Sequence, residues 1–151
     1  MKLYLLGSAL VAALALAAPS FGWGGGGANA PIVASPLAVG KMKATTIQAT
    51  TGSMILESIK IEPGGSFGWH THGAAVAVVV TGGTLTVFDP AVGSCKPFKV
   101  SKGQSFVEPA NHVHLARNDG SARVTLYAMY LGLPNPAKAN VGQAAPAGCS
   151  A

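Results

Sequence analysis

The 151-residue chain has four histidines, and they fall into two pairs of the same form, His70-Thr71-His72 and His112-Val113-His114. Along an extended strand, residues two apart project to the same side, so each pair offers two imidazoles to one face. Imidazole is the commonest metal ligand, and three converging rings suit Zn, Cu, Ni or Fe(II). A single pair is equally compatible with histidines that line a barrel mouth for hydrogen bonding. Two pairs, each just after a Gly/Pro turn and together using every histidine of the chain, favour the metal reading. Glu108 and His112 are the further candidates for acid–base or orienting roles beside such a centre.

Strands must position these rings. From about Val39 the chain is a series of short segments rich in β-branched and aromatic residues: TTIQAT, SMILESIKI, AVAVVV, TLTVF, SFVE, HVHLAR and ARVTLYAMYL. Turn residues bound them, including Pro63-Gly64-Gly65, Gly82-Gly83, Asp89-Pro90, Lys102-Gly103 and Asp119-Gly120. Gly82-Gly83 and Asp119-Gly120 suit two-residue hairpins that need positive φ. No segment here sustains a helical apolar period. Seven or eight strands at this spacing predict an all-β sandwich or small antiparallel β-barrel, closure being the best protection of exposed edges. Residues 39–133 are the expected barrel, 23–38 a Gly/Ala/Pro-rich flexible lead-in, and 134–151 a low-complexity C-terminal tail.

The segment PGGSFGWHTHGAAVAVVVTGGTLTV resembles the first cupin motif, with Gly64 five residues ahead of the pair that opens at His70, and Gly82 as the later glycine. GQSFVEPANHVHLARN resembles the second motif through Gly103, Pro109, His114 and Asn118, with Asn111 where a glycine is usual. The resemblance spans roughly Ser53 to Leu131 and extends to small, exported, single-domain bacterial cupins. It implies a jelly-roll barrel with a metal near its mouth, held by His70, His72 and His114. The family's fourth ligand, a glutamate that follows the first pair after three or four intervening residues, would fall on Val76 or Ala77.

The missing carboxylate changes the expected chemistry. Three neutral imidazoles leave a divalent charge uncompensated, which disfavours oxygen-preferring Mn²⁺ and favours Zn²⁺, Fe²⁺, Cu²⁺ or Ni²⁺. An open coordination position suits catalysis rather than a purely structural site. The contrary reading is a metal-free barrel. Glu108, at the end of SFVE, either swings toward the metal or is a solvated strand end. His112 shares parity with His114 but reads as a rim histidine if the turn at Asn111 rotates it outward. Asn118 reads as a turn cap ahead of Asp119-Gly120, and Phe106, Tyr127 and Tyr130 as core. Three function classes stay open: a metal-dependent oxygenase or isomerase acting on a small organic molecule, a non-catalytic metal or small-molecule binder, and a structural cupin pairing its barrels into a homodimer.

Composition narrows the setting. Lys2 followed by LYLLGSALVAALALAAPS has the layout of a secretory signal peptide, residues 1–22, with the cut as late as residue 30. The apolar run is broken at Pro19 and no stop-transfer charges follow, so no stable membrane span is expected. Cleavage removes Lys2 and takes the formal charge from +5 to +4. The remaining basic residues are dispersed, unlike the clustered footprint of a nucleic-acid binder. Secretion or a periplasmic location follows, and there the two cysteines, Cys95 and Cys149, favour a disulfide.

Overall fold

A computed structural model of the protein describes residues 35–90 and 95–149. The expected signal peptide and most of the lead-in lie outside the described residues. Among those described, no helix is long and apolar enough to cross a membrane.

The strands are β1 (Ser53–Ile61), β2 (Ser66–Thr71), β3 (Ala75–Gly82), β4 (Thr84–Phe88), β5 (Phe98–Ser101), β6 (Ser105–Glu108), β7 (His114–Arg117), β8 (Val124–Leu133) and β9 (Val141–Gly142). They form two antiparallel sheets, ordered β1-β8-β3-β6 and β5-β4-β7-β2-β9. The fold is an all-β jelly roll. Its core lies between the sheets, where Val76, Val78 and Val80 of β3 and Val124, Leu126, Ala128 and Tyr130 of β8 meet Leu85 and Val87 of β4.

Period-2 alternation explains these choices. Along β8 every second residue is buried, and the intervening ones are half-buried. In β3 both faces are apolar, and Val79 on the outer face approaches Gly40 of the segment ahead of β1.

Two turns differ from the sequence expectation. Gly82-Gly83 joins β3 to β4, and Asp119-Gly120 lies between β7 and β8, but each of these strand pairs is split between the two sheets. They are corners where the chain changes sheet, not hairpins. The same residues serve both purposes because both need a left-handed or crowded backbone. Gly83 has φ +70°, and a Cβ there would stand 2.7 Å from the Arg123 carbonyl oxygen.

The segment read from sequence as a tail is part of the structure. Pro136–Lys138 form a single 3₁₀ turn capped by Asn135, and β9 then pairs with β2 at His70 and Thr71. Cys149 forms a disulfide with Cys95, which ties the end of this segment to the β4–β5 connection. That bond agrees with the sequence expectation.

Candidate metal centre

Register brings the first two histidines together. His70 on β2 and His114 on β7 are directly paired across the antiparallel ladder, which sets their ring centroids 4.4 Å apart. His72 lies just past the end of β2 on the same face as His70, with its ring 4.9 Å from His70 and 4.8 Å from His114. All three are buried, and one ligand nitrogen from each lies within 4.8 Å of the others.

The backbone fixes how the rings face. Each Nδ1–H donates to a main-chain carbonyl: His70 to Gly68 at 2.9 Å, His72 to Ala139 at 2.9 Å and His114 to His112 at 3.0 Å. A neutral imidazole with its proton on Nδ1 presents only a lone pair at Nε2. His72 and His114 bring their Nε2 atoms to 3.1 Å, and the Glu108 carboxylate stands 3.2 Å from the first and 3.4 Å from the second. Lone pairs and a carboxylate facing one another at these distances need a cation between them, a proton or a metal ion. Metal-binding histidines are commonly held in this way, with Nδ1–H donating to a carbonyl. The residues therefore fit a divalent transition metal.

Charge acts differently on the rings. Burial, assisted by the neighbouring histidines, lowers the pKa of His70. Burial also works against a proton on His72, but the hydrogen bond to Glu108 and its charge outweigh it, so the His72 pKa is raised.

Glu108 is not a solvated strand end, since its side chain is only 11% exposed and its carboxylate faces the two histidines. It is the direct cross-strand partner of Val76, one of the two positions, with Ala77, where the family pattern would place its glutamate. His112 takes the rim position. Strand β7 begins only at His114, so the parity shared by an HxH pair does not apply to its first member. The turn residue Asn111 has φ +60°, a left-handed conformation that asparagine tolerates and that accounts for glycine there in the motif. The His112 side chain is 42% exposed and lies 3.9 Å from the Asp89 carboxylate. Asn118 is buried, donates to the carbonyls of Ile61 and Ala122, and accepts from the Gly120 amide.

Two groups at the centre were not evident in the sequence. Tyr130, read as core, is indeed buried, but its ring stands edge-on to His72 at 5.4 Å. Burial and the charges of Glu57 and Glu108 push its pKa up. The β3–β8 register places it there, because Tyr130 is the other cross-strand partner of Val76. The Ala139 carbonyl comes from the expected tail and carried no signal.

Two spaces adjoin the centre. One, about 30 Å³, lies beside His70, His72 and Tyr130 and is bounded by Asn140 of the C-terminal segment. The other is a cleft of about 500 Å³ that reaches Glu108 and His114 from between β5 and β6, the adjacent edges of the two sheets.

Comparison with known proteins agrees with this architecture. The family described as "Cupin domain" matches residues 58–130. No curated protein is similar to the chain by sequence. Among solved structures, the DMSP lyase DddQ from Ruegeria pomeroyi is similar at TM-score 0.50 and 15% identity, over 62% of this chain and 44% of that one. The polyketide cyclase RemF from Streptomyces resistomycificus is similar at TM-score 0.49 and 17% identity, over 57% of this chain and 59% of the cyclase. A cupin-like protein from Thermotoga maritima is similar at TM-score 0.47 and 19% identity, over 52% and 57% of the two chains. The chain thus spans about half the length of these three structures. The family match thus covers just under half of the chain, and the two-sheet jelly roll is in keeping with that likeness to the cupin domain.

Proposed function

We propose that the protein is an exported cupin that binds one divalent transition metal through His70, His72 and His114 and presents it to a small organic molecule. The observation that carries this reading is the common orientation of the rings. Each Nδ1–H is held by a carbonyl, and the free nitrogens converge in a buried space. Zn²⁺, Fe²⁺, Cu²⁺ and Ni²⁺ suit an imidazole set. Bound there, such an ion would supply Lewis-acid activation or oxygen chemistry. The chain's own contribution is to hold the histidine tautomers, to exclude water with Tyr130 and the core valines, and to place the Glu108 carboxylate beside the ligand nitrogens.

A non-catalytic metal binder is the second reading. It is favoured by the space beside His70 and His72, which at about 30 Å³ admits little more than one water. Elemental analysis of protein isolated from its native compartment tests metal binding. Oxygen consumption during a substrate screen separates catalysis from carriage.

Export is supported by the signal-like N-terminus and by the Cys95–Cys149 disulfide, which an oxidising compartment preserves. A homodimer through β1 is supported by the exposure of Met54 (71%) and Leu56 (54%) on that edge strand. No nucleic-acid role is proposed for a surface with dispersed basic residues.

A further inference from the structure

We propose that Glu108 supplies the carboxylate of the metal centre, taking over from position 76 across the β3–β6 pair; the inference rests on the metal reading above. Residues directly opposed in an antiparallel ladder project to the same face, with Cβ atoms about 5 Å apart. Val76 and Glu108 are such a pair, and Val76 lies in the core between the sheets. A glutamate at position 108 therefore enters the same space as one at position 76, from the neighbouring strand. Its carboxylate lies 3.2 Å from His72 Nε2 and 3.4 Å from His114 Nε2. A carboxylate this buried requires a cationic partner, and neutral imidazoles with protonated Nδ1 provide none. In loaded protein the carboxylate cancels one unit of the divalent charge. The departure from the family pattern at Val76 is then a relocation of the acid, not its loss.

Cobalt(II) alone is the probe, with affinity measured by chelator competition and ligation by visible absorption. Glu108→Gln is expected to weaken affinity by about tenfold or more and to alter the absorption bands. The exchange variant Val76→Glu with Glu108→Val is expected to regain most of that loss. Glu108→Gln with the parent's affinity and spectrum would overturn the proposal, as would a folded exchange variant binding no tighter than Glu108→Gln. Should the exchange variant fail to fold by circular dichroism, the Glu108→Gln comparison decides alone. A parent that binds no cobalt defeats the metal reading itself, which keeps the two failures distinct.

The cleft between β5 and β6 carries a second inference independently. Phe98 and Phe106 line it together, packed edge to face with centroids 6.0 Å apart, and the buried Val87 and Val100 also line it. Lys41, Lys43 and Lys99 line its exposed part, while Glu108 and His114 close its inner end. The acid other than Glu108, Asp89, lies 3.9 Å from His112. The space beside His70 and His72 is far smaller, about 30 Å³. We infer that the ligand is a small organic anion with an apolar body, which reaches the centre through this seam. Its apolar part would rest on the phenylalanines and its charge would meet the lysines.

Benzoate and its neutral counterpart benzyl alcohol test this by calorimetric titration, with and without metal. Benzoate is expected to bind about tenfold more tightly than benzyl alcohol, and Lys41→Glu with Lys43→Glu is expected to remove that preference at unchanged metal stoichiometry. Equal binding of the two probes, or benzoate affinity unaffected by the lysine changes, would overturn the inference. Metal content is read separately, so failure of the metal reading is not confused with failure of the anion site.

Discussion

Val76 and Glu108 are direct partners across the β3–β6 ladder, and both lie on the face that meets the histidines. One strand thus carries an aliphatic residue where the cupin pattern has an acid, and its neighbour carries the acid. Proximity in the sheet, invisible along the chain, joins two positions separated by thirty-two residues.

The two members of the second HxH pair should behave differently. His114 is buried in the cluster, whereas His112 sits at the rim. His112→Ala should leave metal stoichiometry unchanged, and His114→Ala should abolish it. Metal content of the two purified variants checks this directly.

The protonation of His72 opposes metal uptake. Its pKa is raised above 6.5 through Glu108. In metal-free protein that raised group contributes stability fully present below pH 6.5 and lost as pH rises through the folded value. A metal must displace the same proton, so apparent affinity should fall as pH is lowered through the folded pKa of His72. Chelator competition between about pH 5.5 and 8.5 should show this dependence. In Glu108→Gln its midpoint should move to lower pH.

How much of this was legible depends on the range of the interaction. Strands and the HxH pairs are local patterns, and both were readable. Gly82-Gly83 was read as a hairpin because the sequence reports the need for an unusual backbone, not which sheet the next strand joins. Glu108 remained ambiguous because its role depends on the β3–β6 register. The Ala139 carbonyl acts only through tertiary placement, and low-complexity composition concealed it.

Asn118 ties its own β7–β8 connection to the end of β1 through its buried amide, bonding to Ile61, Gly120 and Ala122. Asn118→Ala leaves those backbone groups unsatisfied and should cost about 2–4 kcal/mol. Denaturant unfolding measures the loss, and metal stoichiometry should be retained, because Asn118 makes no contact with the ligand nitrogens.

The Cys95–Cys149 bond closes a loop of sequence separation 54 and retains the segment that carries Ala139. Cys149→Ser should lower stability by about 2–4 kcal/mol. It should also weaken metal binding by up to about tenfold, since His72 loses its orienting carbonyl more readily. Thermal unfolding and cobalt titration of the same sample read both effects.

Leu56 is 54% exposed on an edge strand. If β1 forms the homodimer contact, Leu56→Glu should yield monomer in sedimentation velocity with an unchanged far-ultraviolet spectrum. A dimer that persists would move the contact elsewhere.

The central claim is that His70, His72 and His114 hold one divalent metal ion. Elemental analysis of protein recovered from its native compartment, run beside His72→Ala, tests it most directly. The account predicts close to one equivalent of a single transition metal in the parent and almost none in the variant. A folded parent without stoichiometric metal, or a His72→Ala variant that retains the parent's full content, would contradict it.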